Sequence, residues 1–250
     1  MIRTISIMLV VVLFLILSIP LLLAEWIIGK FNPGLKDRSS LAIITGIFRF
    51  ILKMTGVKVI VIGEERVPKD TAVLYVGNHR SYFDILLTYV RVPRPTGYIS
   101  KKEMNRYPLL NLWMRNLHCL FLDRQDIKQG LKVILEAIDK VKNGISICVF
   151  PEGTRNKVND TFLPFHEGSF KVADKGGVPI VPMSIVNAAD IFEDHLPKVK
   201  KTTVVLEYCE PVYMKDLDKE AKKTVGAYVS GIISDTYFKN KEKYFGQKAQ

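Results

Sequence analysis

The sequence predicts an α/β domain with a mostly parallel sheet flanked by helices, preceded by N-terminal membrane helices. Two observations carry that expectation. Short strand-like runs, β-branched at 57–62 and 72–76, then 97–100, 119–122, 145–150, 178–185 and 203–208, alternate with stretches of helical spacing, and parallel strands need such crossovers. From Ile5 to Ala24 there is no charged residue, only Ser6, Ser18 and Pro20 interrupting a Leu/Ile/Val run.

At the helical rise, that apolar run covers a bilayer's hydrocarbon core of about 30 Å. A cleaved signal peptide is the rival reading, because Arg3 precedes the run. The stretch is long for such a segment and no small-residue cleavage site follows it, so a retained anchor is expected. Lys30, Lys36, Arg38, Arg49 and Lys53 come after the anchor, against Arg3 before it. The positive-inside bias then puts the body of the protein on the cytoplasmic side. Residues 40–54 are too short and too charged to span. They suit a helix in the membrane interface or a core helix of the body, and both readings stand.

Past Gly56 the strands begin. Helices are expected at 82–90, at 108–116 behind Pro108, at 127–141 and at 169–175. The third carries Ile127, Leu131, Ile134, Leu135 and Ile138 at helical spacing and stops near Asn143-Gly144. The lysine-rich tail, 215–250, reads as a solvated amphipathic helix, with a contact to anionic lipid as the alternative.

A formal charge of +11 calls for an anionic partner. Nucleic acid fits poorly, since zinc spacing, a helix-turn-helix cue and a basic stripe with stacking aromatics are all missing. An anionic membrane face or acidic small substrates fit better. Cys119, Cys148 and Cys209 lie in apolar strand-like runs and read as buried free thiols. No metal site is expected, for no His/Cys cluster supplies enough ligands.

In parallel sheets, sites open beyond the carboxyl ends of strands, so the loops after Val76, Leu122 and Phe150 are the ones to search. The first is Gly77-Asn78-His79-Arg80-Ser81-Tyr82-Phe83-Asp84. Histidine is the side chain matched to proton transfer near neutral pH, and a carboxylate on one ring nitrogen fixes its tautomer. On one straight helix His79 and Asp84 would sit about 140° apart. They meet if His79 lies in the loop and Asp84 in the first turn of the next helix. Ser81-x-x-Asp84 also resembles a capping box, so a purely structural Asp84 stays open. The loop 150–156 offers Gly153 for close backbone approach, the Thr154 hydroxyl and the Arg155 fork, which suits phosphate. Lys101, Lys102 and Arg124 add cations at neighbouring strand ends.

Together these segments resemble the glycerolipid acyltransferase family, specifically the 1-acylglycerol-3-phosphate acyltransferases. Asn78-His79-x-x-x-x-Asp84 is similar to the family's first motif. Lys101-x-Glu103 through Leu122-Asp123-Arg124 is similar to the second, Phe150-Pro151-Glu152-Gly153-Thr154-Arg155 to the third, and the proline-containing strand 178–182 to the fourth. The four follow the family's order over 73–185. The chain departs at Asn116-Leu117-His118, where relatives often carry a glycine. The resemblance implies a glycerol-3-phosphate acyltransferase-like fold, divided into an anchor with an interfacial helix at 1–56 and an acyltransferase domain at 57–250. It implies acyl transfer from acyl-CoA or acyl carrier protein to the free 2-hydroxyl of lysophosphatidic acid, giving phosphatidic acid without a cofactor. His79 and Asp84 would be the catalytic pair. Lys101, Arg124 and Arg155 would hold the phosphate, with Glu152, Gly153 and Thr154 around the glycerol. Two other readings are another lysophospholipid as acceptor and a non-catalytic adaptor that binds phosphatidic acid.

Overall fold

The computed structural model describes residues 1–246. Its frame is a seven-stranded sheet, β1 (Lys58–Ile62), β2 (Leu74–Gly77), β3 (Thr96–Lys101), β4 (Leu120–Leu122), β5 (Ser146–Val149), β6 (Ile180–Val186) and β7 (Thr203–Tyr208). The spatial order is β1-β7-β6-β2-β5-β3-β4. Every neighbouring pair is parallel except β6 and β7. The mostly parallel α/β fold expected from the sequence is therefore present.

Both faces of the sheet are covered, as parallel sheets require. Alternate residues of β2 divide between the two layers: Val73 and Tyr75 join one apolar cluster, Leu74 and Val76 the other. The first layer comprises α1 (Ile2–Leu17), α2 (Ile19–Phe31), α3 (Pro33–Thr55), α4 (Phe83–Tyr89) and α5 (Leu110–Asn116), all of which reach that cluster. The second comprises α6 (Ile127–Lys142), α7 (Lys171–Gly176) and α9 (Val225–Phe245), while the short α8 (Lys219–Lys223) has no buried residue. Ile147, in β5, is 0% exposed. Replacing it with Ala should destabilise the protein by about 2–5 kcal/mol, read as a lower urea midpoint with unchanged slope.

Two expectations, the single anchor and the solvated tail, are corrected, and the two readings of residues 40–54 gain a structural context. The single apolar anchor is broken at Ser18 into α1 and α2, bent by 48°. The break follows from Pro20, which removes an amide donor and crowds the carbonyl four residues back. Ser18 Oγ then accepts from the Trp113 indole at 2.9 Å and donates to Leu15 O. Among the described residues no single helix is long and apolar enough to cross a membrane, although the bent pair passes by length and composition. Residues 40–54 belong to the longer α3, whose Ile44, Ile51 and Leu52 are buried in the first layer while Phe50 is exposed. The tail is not a solvated helix. Val225, Val229, Ile233 and Tyr237 of α9, spaced four apart, are buried in the body, and the lysines lie around that stripe. Residues 247–250, which the tail expectation also covered, lie outside the described residues.

The departure at Asn116-Leu117-His118 has a local consequence. His118 sits at φ 59°, the left-handed region glycine adopts without strain. Its Nε2 lies 3.0 Å from Asp37 Oδ1 of α3, which ties this turn to the N-terminal helices.

Candidate active site

Because β5 pairs directly with β2, the loops after Gly77 and Val149 emerge side by side at one edge of the sheet. The loop after β2 carries His79 and Arg80, and Asp84 lies in the first turn of α4. His79 Nδ1 is 2.8 Å from Asp84 Oδ2. The same oxygen accepts from the Arg80 and Ser81 amides at 2.8 and 2.7 Å. Asp84 is 1% exposed, so three donors fix a buried carboxylate whose other oxygen has no partner among the described residues. The capping alternative and the His-Asp couple thus coexist: Asp84 satisfies two amides at the helix start and orients the imidazole.

The His79 ring lies stacked on Phe150, with centroids 4.4 Å apart and planes 17° off parallel. Gly77 makes room for that ring, since a Cβ there would lie 3.1 Å from Phe150 Cε1. With Nδ1 held by Asp84, Nε2 is the nitrogen left for a substrate proton. Asn78 fixes the loop's root: its side chain donates to Ile185 O at 2.9 Å and accepts from Ile185 N at 2.8 Å.

Glu152 has a different position from the one expected. It is 5% exposed and turned inward, accepting from His79 N at 2.8 Å and from Leu163 N at 3.0 Å. Both oxygens serve backbone amides, so it braces the His79 loop from the loop after β5. The Asn156 amide donates to His79 O at 2.8 Å and closes the same junction. Burial pushes the Glu152 carboxyl above its ordinary range, and the two amide donors only partly offset it. A raised folded value means the folded chain holds this proton more tightly than the unfolded chain. The group's contribution is then most favourable below its unfolded value and declines as pH rises through the interval up to the folded value. Glu152→Gln, which does not titrate, should accordingly gain stability relative to wild type across that interval. Thermal unfolding of both proteins along a pH series checks this.

Gly153 adopts φ 71°, and a Cβ added there would lie 3.1 Å from His166 Nε2 and 3.9 Å from Arg124 Nε. Arg124, rooted two strands away beyond β4, is therefore brought to the Gly153 turn. Thr154 is exposed beside it. Gly153→Ala should cost about 1 kcal/mol from the left-handed backbone alone, read as a lower unfolding temperature. Arg155 lies over the Tyr82 ring at 3.7 Å, donates to Tyr82 Oη at 3.0 Å and pairs with Glu193 Oε1 at 3.3 Å. Lys101 ends β3 opposite Leu122 and is exposed. Lys102 is paired with Asp123. Among the described residues no group of three or more His, Cys, Asp or Glu is arranged to hold a metal ion.

Glu193 was missed. The loops searched were those after three strands, yet β6 is parallel to β2 and its carboxyl end opens at the same edge. The same rule applied there would have pointed to residues 187–202.

Comparison with known proteins adds to this geometry. A family model described as Acyltransferase matches residues 58–186. A 1-acyl-sn-glycerol-3-phosphate acyltransferase from Borreliella burgdorferi is 32% identical over 155 residues, 62% of this chain and 62% of that protein. One from Saccharomyces cerevisiae is 29% identical over 69% of this chain and 58% of its own length. A probable one from Mycoplasma pneumoniae is 30% identical over 74% of this chain and 71% of its own. The matched region thus spans less than two thirds of the first two relatives. The crystal structure of the 1-acyl-sn-glycerophosphate acyltransferase PlsC from Thermotoga maritima superposes with a TM-score of 0.80 at 24% identity, covering 100% of this chain and 97% of that one. That likeness is one of fold.

Proposed function

The chain belongs to the acyltransferase family, and from that premise we propose that it moves a fatty acyl group from an acyl thioester to the sn-2 hydroxyl of lysophosphatidic acid, giving phosphatidic acid. The observation that carries this reading is the His79–Asp84 couple beside a loop bearing Gly153 and Arg155, with Arg124 folded onto the same turn. The names of the relatives support the acceptor.

His79 Nε2 takes the proton from the acceptor hydroxyl as that oxygen attacks the thioester carbonyl. Asp84 holds the ring and stabilises the imidazolium that forms. When the tetrahedral intermediate collapses, the carbon–sulfur bond breaks and the imidazolium returns its proton to the departing thiolate. Cys148 is buried and Cys119 half-buried, and desolvation pushes both thiols up, to about 11 in Cys119, which suits neither to nucleophilic attack at neutral pH. Transfer is accordingly direct, with no acyl-enzyme. Arg124 and Arg155 hold the acceptor phosphate, with Lys101 at the outer rim, and the Gly153–Thr154 turn receives the glycerol. Glu152 acts through the backbone of His79 and does not touch substrate. Acyl-CoA and acyl carrier protein are both anionic donors compatible with the chain's charge.

We place the protein at an anionic membrane, with its body on the cytoplasmic side. The large outward-facing side chains of α1 and α2, among them Ile2, Leu9, Leu17, Trp26 and Phe31, form the apolar surface that would enter it. Arg3 and Lys30 lie near the ends of that surface, with Lys30 over the Trp26 ring at 3.5 Å.

The test is product identity. Purified protein in mixed micelles, given a long-chain thioester and a panel of lysolipids, should form phosphatidic acid in preference to any lipid with a further head group. Preference for such a lysolipid would move the acceptor. Vesicle binding without any acylated product would favour the adaptor.

A further inference from the structure

We infer that Glu193 is a positioning residue that sets the acceptor side of the site, an inference that rests on the acyltransferase reading above. After β6 the chain leaves the sheet over residues 187–202 before returning as β7. This excursion is pinned at its base by Asp190, which contacts His195 Nε2 at 2.6 Å and accepts from Thr202 Oγ1. Asn187 at φ 69° adds bonds to Thr202 Oγ1 at 3.0 Å and Thr203 O at 2.9 Å. The pinned segment delivers Glu193 to the mouth of the sheet, with Asp194 beside it 3.8 Å from Arg80 Nη2.

Glu193 is 13% exposed at the side chain and touches two different loops. Its Oε2 accepts from Ser81 Oγ at 2.7 Å and its Oε1 from Tyr82 N at 2.7 Å, both at the start of α4. Oε1 also accepts from Arg155 Nη1 at 3.3 Å. Tyr82, fixed by this bond, receives the other arm of Arg155 on its hydroxyl and lies under the guanidinium plane. One carboxylate therefore clamps Arg155 and the aromatic platform beneath it. A guanidinium has five N–H groups in one plane. Glu193 and Tyr82 take one each, leaving the rest in a fixed orientation for an acceptor phosphate.

Asp84 keeps its own amides from Arg80 and Ser81, so removing Glu193 leaves the proton-transfer couple in place. The effect falls on acceptor binding and not on the base. A residue that held up the fold in general would disturb donor and acceptor alike.

The experiment is a double-mutant cycle between Glu193→Ala and Arg155→Ala, following thiol release against lysophosphatidate and donor separately. Glu193→Ala should raise the acceptor KM about tenfold, with kcat and the donor KM changed by less than about threefold. On the Arg155→Ala background, the same change should raise the acceptor KM no further. Glu193→Gln keeps an acceptor oxygen for Tyr82 N, removes the charge facing Arg155, and turns an amide NH2 toward Ser81 Oγ, which can accept from it. It carries the test if the Ala variant folds poorly, with an expected rise of about threefold that is likewise absent without Arg155. Effects of Glu193 and Arg155 that simply multiply, or equal changes in donor and acceptor KM, overturn the inference. A wild-type protein without acceptor-dependent turnover would instead defeat the acyltransferase reading itself. An active wild type with indifferent Glu193 variants would defeat this inference alone.

Discussion

Replacing His79 with Ala is expected to lower kcat/KM for lysophosphatidate by about 10²–10⁴-fold, the usual worth of a positioned general base. The ring is 16% exposed and stacks on Phe150. Losing that stack removes about 0.5–1.5 kcal/mol beyond buried area, which leaves a folded protein. The backbone contacts that shape the loop, His79 N to Glu152 and Asn156 N to His79 O, do not depend on the side chain. Thiol release and thermal unfolding measured on one preparation separate the two effects. A folded variant that turns over within threefold of wild type would remove His79 from the mechanism.

Asp84→Asn should also be severe in rate, a loss of about 10²-fold or more, because a neutral amide, though its oxygen can still take the ring N–H and the two loop amides, does not stabilise the imidazolium as a carboxylate does. Asp84→Ala should differ in kind. It leaves the Arg80 and Ser81 amides without their acceptor in a buried setting, at about 1–3 kcal/mol for each unsatisfied group. The Asn variant should therefore unfold near wild type, and the Ala variant several degrees lower. Equal stability of the two would mean that Asp84 does not organise the start of α4.

Much of the frame could be read directly because its physics is local. Most strands were visible as short apolar or β-branched runs, since strands buried on both faces, such as Ile180–Val186, leave few polar residues to blur them. The loops around His79 and Gly153 were identifiable because the carboxyl-edge rule needs only strand order and direction. What escaped reading depends on pairings between distant segments. The bend at Ser18 needed the weight of Pro20 and the Trp113 indole, ninety-five residues away. The inward stripe of α9 was hidden among lysines whose charge said nothing about the face they leave free. Glu152 looked like a ligand because sequence does not disclose that the His79 and Leu163 amides claim both oxygens. Glu193 follows a strand that the same edge rule covers, and it becomes meaningful once β6 is seen beside β2.

The most direct measurement is thiol release by the purified protein from a long-chain acyl thioester, recorded with and without lysophosphatidate. Release that requires the acceptor, is matched mole for mole by phosphatidic acid, and occurs with no acyl group left on the protein is the predicted result. Release at the same rate without acceptor, or no release from either acyl-CoA or acyl carrier protein, would contradict acyl transfer at the His79–Asp84 site.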